Sequence, residues 1–252
     1  MLKKRIIPTL LWKNFTLVKG KSFDSWRRVG TVLPAVIVYN TRDCDELIIV
    51  DIEASIKNTE IDFDSIRDFS SECNVPLTIG GGIKNIKQIQ QLLRSGADKV
   101  SINTYAYSDI SLIKNSSKEF GTQCIVSSVD FKFNQDKKIY ECFSHSGTRN
   151  TGINILDWVR KLEDHGAGEI ILTSIERDGT MSGYDCEIIE KIVEKVNVPI
   201  IASGGCGNYN HMFEVFMTGV SAVAAASIFH FTQQTPLEAK KYLIEKNIPM
   251  RR

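Results

Sequence analysis

Two short glycine-rich segments are the residues most easily matched to a chemical task. Gly80-Gly81-Gly82 and Ser203-Gly204-Gly205 each follow an apolar run and precede an amphipathic segment. Glycines between a strand and a helix let backbone N–H groups approach an anion, and the positive end of the helix adds to the attraction. Phosphate is the anion that this pattern favours.

The two glycine segments belong to a longer repeat. Asn74-Val75-Pro76 leads to Gly81-Gly82, and the same types recur 123 positions later as Asn197-Val198-Pro199 and Gly204-Gly205. A polar residue or pair follows the next apolar run in each copy, and the residues concerned are Asn103, Thr104 and Ser227. The repeat predicts two similar sites for a ligand phosphorylated at both ends. Glycines that only permit tight turns are the alternative for either segment.

The elements that must position these residues are short apolar strands alternating with amphipathic helices. Strands are expected near 5–11, 46–51, 75–80, 98–103, 123–130, 168–174, 198–203 and 220–226. Eight βα units in 252 residues favour a closed (β/α)8 TIM barrel over a doubly wound sheet. We predict one domain over residues 1–252, built from half-barrels of about 1–120 and 121–252, with a small hairpin inserted after the fifth strand.

Barrel enzymes place their chemistry at the C-terminal ends of the strands. The residues expected there, besides the glycine segments, follow other apolar runs: Asp51, Asp130, Thr173, Asp178 and Gly179. A strand-end aspartate can also be structural, capping a loop, and this is the alternative for Asp130.

A second group of charged residues marks the opposite end of the predicted barrel. Arg5, Glu46, Lys99 and Glu169 each lie at or near the start of a strand. Charges that face a barrel axis are costly unless they are paired, and two cations with two anions can satisfy one another. On these residues alone, the group is a salt-bridged plug of the barrel floor.

Composition excludes several function classes. The formal net charge is +1 with charges spread along the chain, which predicts neither a nucleic-acid partner nor a membrane surface. Six dispersed cysteines, with no Cys-x-x-Cys pair, are typical of a reduced cytoplasm. The four histidines have no ligand spacing, so we expect no metal, and nothing in the sequence indicates a cofactor.

Along nearly its whole length the chain resembles the cyclase (HisF-like) subunit of imidazole glycerol phosphate synthase. The segments that carry the resemblance include Lys4-Arg5-Ile6-Ile7-Pro8, Arg94-Ser95-Gly96-Ala97-Asp98-Lys99-Val100-Ser101-Ile102-Asn103, Arg177-Asp178-Gly179-Thr180 and Ala202-Ser203-Gly204-Gly205. The resemblance implies a barrel that receives ammonia from a glutaminase (HisH-like) subunit. It also implies cleavage and cyclisation of a bis-phosphorylated ribonucleotide.

The resemblance also implies roles for individual residues. One phosphate site would use Gly82, Asn103 and Thr104, and the other would use Asp178, Gly179, Gly204, Gly205 and Ser227. The charged quartet would form the gate through which ammonia enters. Asp98 would lie on the face where the glutaminase docks.

Two aspartates carry out acid–base catalysis in the resembled family, at the ends of the first and fifth strands. Asp130 fits the fifth-strand position, but the first-strand position holds Leu11, which has no titratable proton. Asp51 or Lys19 would have to reach the same reacting atom to compensate. We expect Asp130 to act without a partner carboxylate.

A retained gate with one missing acid favours a divergent paralogue, similar to the HisF-like proteins associated with acetamidino sugars of bacterial surface glycans. Such a protein would pass ammonia onward to a sugar amidotransferase partner. The alternatives are a working histidine-pathway cyclase that tolerates Leu11 and a non-catalytic ammonia conduit.

Overall fold

The fold was taken from a computed structural model that describes residues 3–251. In chain order the strands are β1 (Arg5–Lys13), β2 (Thr16–Lys21), β3 (Asp24–Gly30), β4 (Leu47–Asp51), β5 (Leu77–Gly80), β6 (Lys99–Ile102), β7 (Ile125–Asn134), β8 (Ile139–Ser144), β9 (Arg149–Asn154), β10 (Glu169–Ser174), β11 (Ile200–Ser203) and β12 (Ala222–Ala225). The helices are α1 (Val32–Thr41), α2 (Ala54–Lys57), α3 (Phe63–Ser71), α4 (Ile86–Arg94), α5 (Thr104–Ser108), α6 (Ser111–Phe120), α7 (Ile155–Asp164), α8 (Cys186–Val193), α9 (Tyr209–Met217), α10 (Ser227–Phe231) and α11 (Pro236–Glu245).

Eight parallel strands close into a barrel in the order β1, β4, β5, β6, β7, β10, β11 and β12. Closure occurs where β12 returns to β1, with Arg5 paired to Ala222. Helices connect successive barrel strands, as a parallel sheet requires. The predicted (β/α)8 TIM barrel is therefore confirmed.

The barrel interior is filled by apolar side chains that point inward from alternate positions of the strands. Seven of them form one buried cluster: Ile7, Ile48, Val126, Ile171, Ile201, Ala222 and Ala224. The helices bury their apolar faces on the outside of the barrel, as α4 does with Ile89 and Leu92. The interior cluster separates the two polar ends of the barrel.

Four consecutive elements recur at the spacing of the sequence repeat. β5, α4, β6 and α5 have the same lengths as β11, α9, β12 and α10, and their bounds are offset by 123 residues. The glycines at the corresponding turns, Gly81-Gly82 and Gly204-Gly205, all have positive φ angles. The repeat is thus also structural, while the division into half-barrels near residue 120 stays a prediction.

Two antiparallel additions extend the barrel strands beyond the C-terminal face. β1 continues into the β2–β3 hairpin, which the sequence did not predict. β7 runs on to Asn134 and pairs with β8, which pairs with β9, so the expected small hairpin is part of a three-stranded extension. The additions cover the end of the barrel where chemistry was predicted.

The strands β5 and β11 begin two residues later than the sequence predicted. Pro76 and Pro199 precede them and have no N–H to donate to a strand ladder.

All six cysteines are unpaired. Within residues 3–251, no helix is both long enough and apolar enough to cross a membrane.

Candidate active site

A cavity opens at the C-terminal ends of the barrel strands, and all eight barrel strands or their loops contribute to it. Fifteen of the residues singled out at this face line the cavity: Leu11, Lys19, Gly80, Gly81, Gly82, Asn103, Thr104, Asp130, Thr173, Asp178, Gly179, Ser203, Gly204, Gly205 and Ser227. Parallel strands bring their carboxyl ends to one edge, which is why residues far apart in sequence meet here.

Asp130 ends the barrel part of β7 and is buried in the cavity wall. Its Oδ2 accepts a hydrogen bond of 2.8 Å from the Asn103 amide. Burial raises the pKa of Asp130 to about 7. Desolvation and the nearby Asp178 disfavour the carboxylate, and together they outweigh the hydrogen bond from Asn103, which favours it. Asp130 can therefore hold or release a proton near neutral pH.

Leu11 lies where β1 reaches the same cavity. It lines the cavity together with Thr9 from the same strand and is paired with Val50 of β4. Neither of these side chains titrates. The end of β1 thus offers an apolar wall and no acid or base.

Lys19 lines the cavity, and its ammonium group is paired with Asp178 in the same cavity wall. The side chain is almost fully buried, and its Nζ lies 2.5 Å from Asp178 Oδ2. A lysine that neutralises a buried carboxylate stays in place, because its departure would leave the carboxylate buried without a counter-ion. In this arrangement Lys19 fixes Asp178 beside the second glycine turn.

Asp51, which was expected to contact the ligand, does not line the main cavity. Its carboxylate accepts hydrogen bonds from the backbone N–H groups of Glu53 and Ala54, at 2.9 and 3.0 Å. It contacts a separate small pocket beside Trp12. The strand-end aspartate caps the following turn, which is the structural role that such residues often have.

The glycine turns are required by the backbone itself. A Cβ at Gly81 would lie 2.4 Å from the Asp51 carbonyl oxygen, and one at Gly205 would lie 2.1 Å from the Gly183 carbonyl oxygen. The tight-turn explanation therefore holds for both segments. It does not exclude a ligand, since the same absence of side chains leaves the turns open to the cavity.

Several polar atoms at the cavity wall have spare hydrogen-bonding capacity. Ser227 Oγ and Asn103 Oδ1 are buried and have no partner within residues 3–251. Thr104 Oγ1 accepts from the backbone N–H of His145 at 3.0 Å. Buried polar atoms normally find partners, so the orphaned pair beside the two turns is available to a polar ligand.

Sequence reasoning missed the hairpin residues that cover the cavity. Phe23 and Trp26 from the β2–β3 hairpin line it, as does Ser146 from the turn between β8 and β9. Ser22 N–H donates to the Asp178 carbonyl at 2.7 Å, and Ser146 Oγ donates to the Ile52 carbonyl at 2.6 Å. The hairpin has no signal in the sequence, because neither its own turn, Ser22-Phe23, nor the turn that leads into it, Asn14-Phe15, has the glycine that usually marks such turns.

The opposite end of the barrel is closed by a ring of four charged side chains, Arg5, Glu46, Lys99 and Glu169. Arg5 lies 2.6 Å from each carboxylate, and Lys99 Nζ lies 2.9 Å from Glu46 and 2.7 Å from Glu169. Burial would raise the pKa of Glu169, but the two cations more than offset it and lower that pKa below its usual value. Each ion thus has two partners of opposite sign within this charged ring, and Glu46 also lies 3.7 Å from Arg251.

Asp98 lies beside the charged ring on the exposed N-terminal face. One of its carboxylate oxygens accepts from the backbone N–H of Leu77 at 2.8 Å, so the side chain anchors the start of β5. This contact neither requires nor excludes a docking role.

Comparison with known proteins gives one consistent family. The family model described as "Histidine biosynthesis protein" matches residues 5–235. The "Imidazole glycerol phosphate synthase subunit HisF" of Chloroherpeton thalassium is 44% identical over 252 residues, covering all of both chains. The subunits of the same name from Dictyoglomus turgidum and Lactococcus lactis subsp. cremoris are 46% and 42% identical, covering all of this chain and 99% and 97% of theirs. The chain belongs to the histidine biosynthesis protein family and is a HisF-like barrel.

Proposed function

We propose that this chain is the ammonia-accepting barrel subunit of a glutamine amidotransferase complex, and that the cyclase chemistry of its relatives has been lost or moved to a partner. The observation that carries the proposal is Leu11, which lines the cavity where the resemblance implies an acid. The phosphate-binding residues, Asp130 and the charged ring are all retained. A cavity that keeps the residues expected to bind the ligand, but lacks one of the two expected acid–base groups, is suited to a reaction other than the cyclisation.

The charged ring supports ammonia entry from a glutaminase subunit of the HisH type. The ring closes the axis of the barrel at its N-terminal end, and the apolar interior leads from it to the cavity. Ammonia is small and neutral, so an apolar passage can carry it without the desolvation cost of an ion. We place the glutaminase on this face, next to Asp98, and a bis-phosphorylated or similar ligand at the other.

The chemistry of an ammonia adduct requires more than one proton transfer. A positioned acid or base contributes typically 10²–10⁴-fold to such a step, and leucine contributes nothing. Lys19 is paired with Asp178, and Asp51 lies outside the cavity, so neither takes the place of the missing carboxylate. Asp130 alone, with a pKa of about 7, is left to titrate near the ligand.

We therefore favour a paralogue that passes ammonia onward to a sugar amidotransferase, of the kind associated with acetamidino sugars of bacterial surface glycans. The unpaired cysteines support a cytoplasmic complex. A working cyclase of histidine biosynthesis is the second candidate, and identity of 44% over full length to a synthase subunit favours it. A non-catalytic conduit is the third.

The test is turnover of the bis-phosphorylated ribonucleotide of the histidine pathway with ammonium as the nitrogen source. Four proteins are compared: the wild type, Leu11→Asp, Leu11→Asn and Asp130→Asn. Leu11→Asn is the matched control, because it has the shape of aspartate without its proton. We expect Leu11→Asp to gain about 100-fold or more over the wild type, and Leu11→Asn to gain nothing.

Rapid wild-type turnover that is lost in Asp130→Asn would overturn the proposal and establish a working cyclase. No activity in any variant, with the ligand still bound, would favour the conduit instead. Activity gained equally in Leu11→Asp and Leu11→Asn would exclude proton transfer as the reason for the loss.

A further inference from the structure

Asn103 lies between the first glycine turn and Asp130. It follows β6, whose neighbours in the barrel are β5, which ends at the glycine turn, and β7, which carries Asp130. Gly80 pairs with Ser101, two residues before Asn103, and Gly82, Asn103 and Asp130 all line the cavity. The Asn103 side chain therefore has a carboxyl group on one side and the expected phosphate site on the other.

The Asn103 amide has its nitrogen turned toward Asp130. Nδ2 donates a hydrogen bond of 2.8 Å to Asp130 Oδ2, while the buried Oδ1 has no partner within residues 3–251. A carboxylate can only accept hydrogen bonds, so it selects the orientation in which the amide nitrogen faces it. In this orientation one N–H is committed to the carboxylate, and the oxygen left over cannot bind an anion.

A proton on Asp130 favours the opposite orientation of the amide. A protonated carboxyl group has an O–H donor, which Asn103 Oδ1 can accept if the amide turns over. Both amide N–H groups are then free for an anion, and the orphaned oxygen gains a partner. Burial raises the pKa of Asp130 to about 7, so this proton is available at neutral pH.

The second copy of the repeat has no such amide. The residue 123 positions after Asn103 is Ala226, and each residue immediately precedes a short helix. Their φ and ψ angles are similar, −123° and −87° for Asn103 and −128° and −64° for Ala226. The backbone at this position therefore does not require asparagine.

The carboxyl group is absent from the second copy as well. The register pairs Val100 with Ile125 and Val223 with Ile6. Because Val100 and Val223 are equivalent in the repeat, Asp130 and Leu11, each five residues further along its strand, are equivalent too. The side of the barrel that has the carboxyl group has the amide, and the opposite side has neither.

The groups around Asp130 do not titrate in its place. Those with a charge or a titratable proton come from several elements: Tyr107 of α5, Cys142 of β8, His145 between β8 and β9, Lys19 of β2 and Asp178 after β10. Burial raises the pKa of Tyr107 well above its usual value and that of Cys142 to about 12. Burial lowers the pKa of His145, so it is neutral near pH 7, and Lys19 is paired with Asp178.

We propose that Asn103 is a positioning residue that couples the two sites: an anion at the first glycine turn binds most tightly when Asp130 is protonated, because the amide then turns its N–H groups to the anion. The proton comes from solution. A ligand phosphate that binds at this turn thereby loads Asp130 with the proton that a general acid needs. This inference rests on the phosphate site of the proposed function and adds to it the coupling between phosphate and proton.

The test uses sulfate as the probe, because sulfate does not titrate near pH 7 as inorganic phosphate does. The carboxyl signal of Asp130 in the full chain is titrated by ¹³C NMR and is assigned with Asp130→Asn. Sulfate is added until the backbone N–H signals of Gly81 and Gly82 stop moving, and sodium chloride of equal ionic strength is the reference. We expect saturating sulfate to raise the pKa of Asp130 by about one pH unit or more.

Asn103→Ala separates the coupling from simple repulsion between the anion and the carboxylate, which also raises a carboxyl pKa. Alanine occupies the equivalent backbone position in the same chain, so the fold is not put at risk. The glycine N–H groups remain, so the variant still binds sulfate, more weakly. We expect less than about half of the wild-type rise in the pKa of Asp130.

The coupling is reciprocal, so the affinity for sulfate provides a second measurement. From pH 6 to pH 9 we expect this affinity to fall about tenfold in the wild type and less than about threefold in Asn103→Ala. Ser227→Ala at the second glycine turn is the matched control and should keep the wild-type rise in the pKa of Asp130.

Four results would overturn the inference. An equal rise in the wild type and Asn103→Ala would leave repulsion as the whole cause, and a rise lost in Ser227→Ala would assign the effect to the second turn. Sulfate that moves the Gly81 and Gly82 signals without changing the pKa of Asp130 would refute the coupling and leave the phosphate site intact. Sulfate that moves neither glycine signal would refute both the coupling and the proposed phosphate site.

Discussion

Asp130 and Leu11 show how the surroundings of single side chains decide what the cavity can do. The two residues lie on β1 and β7, on opposite sides of one cavity, yet one can carry a proton near neutral pH and the other carries none. Burial sets the pKa of Asp130, with Asn103 and Asp178 acting in opposite directions. The cavity therefore has a carboxyl group that can exchange a proton near neutral pH on one side and an apolar side chain on the other.

The raised pKa of Asp130 predicts a pH-dependent stability. In the folded protein the group titrates at about 7, whereas an unfolded aspartate titrates near 3.9. Between these values the unfolded chain has lost the proton that the folded chain keeps, so the free energy of unfolding falls as pH rises and levels off above pH 7. A shift of this size corresponds to roughly 4 kcal/mol.

Asp130→Asn should remove that dependence. The free energy of unfolding in urea is measured for both proteins at pH 4 and pH 8. From pH 4 to pH 8, that of Asp130→Asn should rise relative to that of the wild type by up to roughly 4 kcal/mol. Asp136→Asn, at an exposed position, is the control and should follow the wild type. Parallel curves for Asp130→Asn and the wild type would contradict the assigned pKa.

At the level of single residues, strand-end positions could be predicted but side-chain direction could not. Asp130 and Asp51 both follow apolar runs, and only Asp130 points into the cavity. Side chains alternate along a strand, so a difference of one position decides the face, and sequence-based strand ends are uncertain by more than that. The pairing of Lys19 with Asp178 joins residues 159 positions apart and has no local signal.

The helices and strands were predictable where an apolar period and a breaker coincide. Asn85 and Asn208 immediately precede α4 and α9. Each side chain accepts a hydrogen bond from the backbone N–H three residues later, at 3.0 and 2.9 Å. The β2–β3 hairpin was missed because β3 is largely polar and exposed and because the turn between the two strands, Ser22-Phe23, lacks glycine. Tertiary contacts to the cavity hold this hairpin rather than local propensity.

The two asparagine caps provide a test at equivalent positions of the repeat. Asn85→Ala and Asn208→Ala should each cost about 1 kcal/mol, because a backbone N–H of the first turn loses its partner. Asn115→Ala, at an exposed position inside α6, should cost nothing or stabilise slightly. The measurement is the midpoint of chemical denaturation, and a loss at Asn115 equal to that at the caps would refute the capping argument.

The charged ring links strands from all around the barrel. Arg5, Glu46, Lys99 and Glu169 come from β1, the residue before β4, β6 and β10. The sequence predicted that these four would pair, since no other arrangement satisfies charges on a barrel axis. It did not show that each carboxylate would be bound by both cations.

Lys99→Met should destabilise the whole barrel by about 3 kcal/mol at pH 7. Two buried carboxylates then share Arg5, and the one further cation is the half-exposed Arg251, 3.7 Å from Glu46. Glu169 has a lowered pKa, so its contribution is present above the usual glutamate pKa and is lost as pH falls through the lowered one. The difference between variant and wild type should therefore shrink in acid. Lys195→Met, at an exposed lysine, is the control for urea unfolding at both pH values.

The order of the strands gives the cavity a fixed span. The glycine turns follow β5 and β11, which are four strands apart in a ring of eight and so stand diametrically opposite. The distance between them is the diameter of the barrel, which strand number and shear determine and no loop can change. The barrel therefore fixes the length that a molecule must have to contact both glycine turns. Substitutions in the loops can alter how tightly such a molecule is held, but not that length.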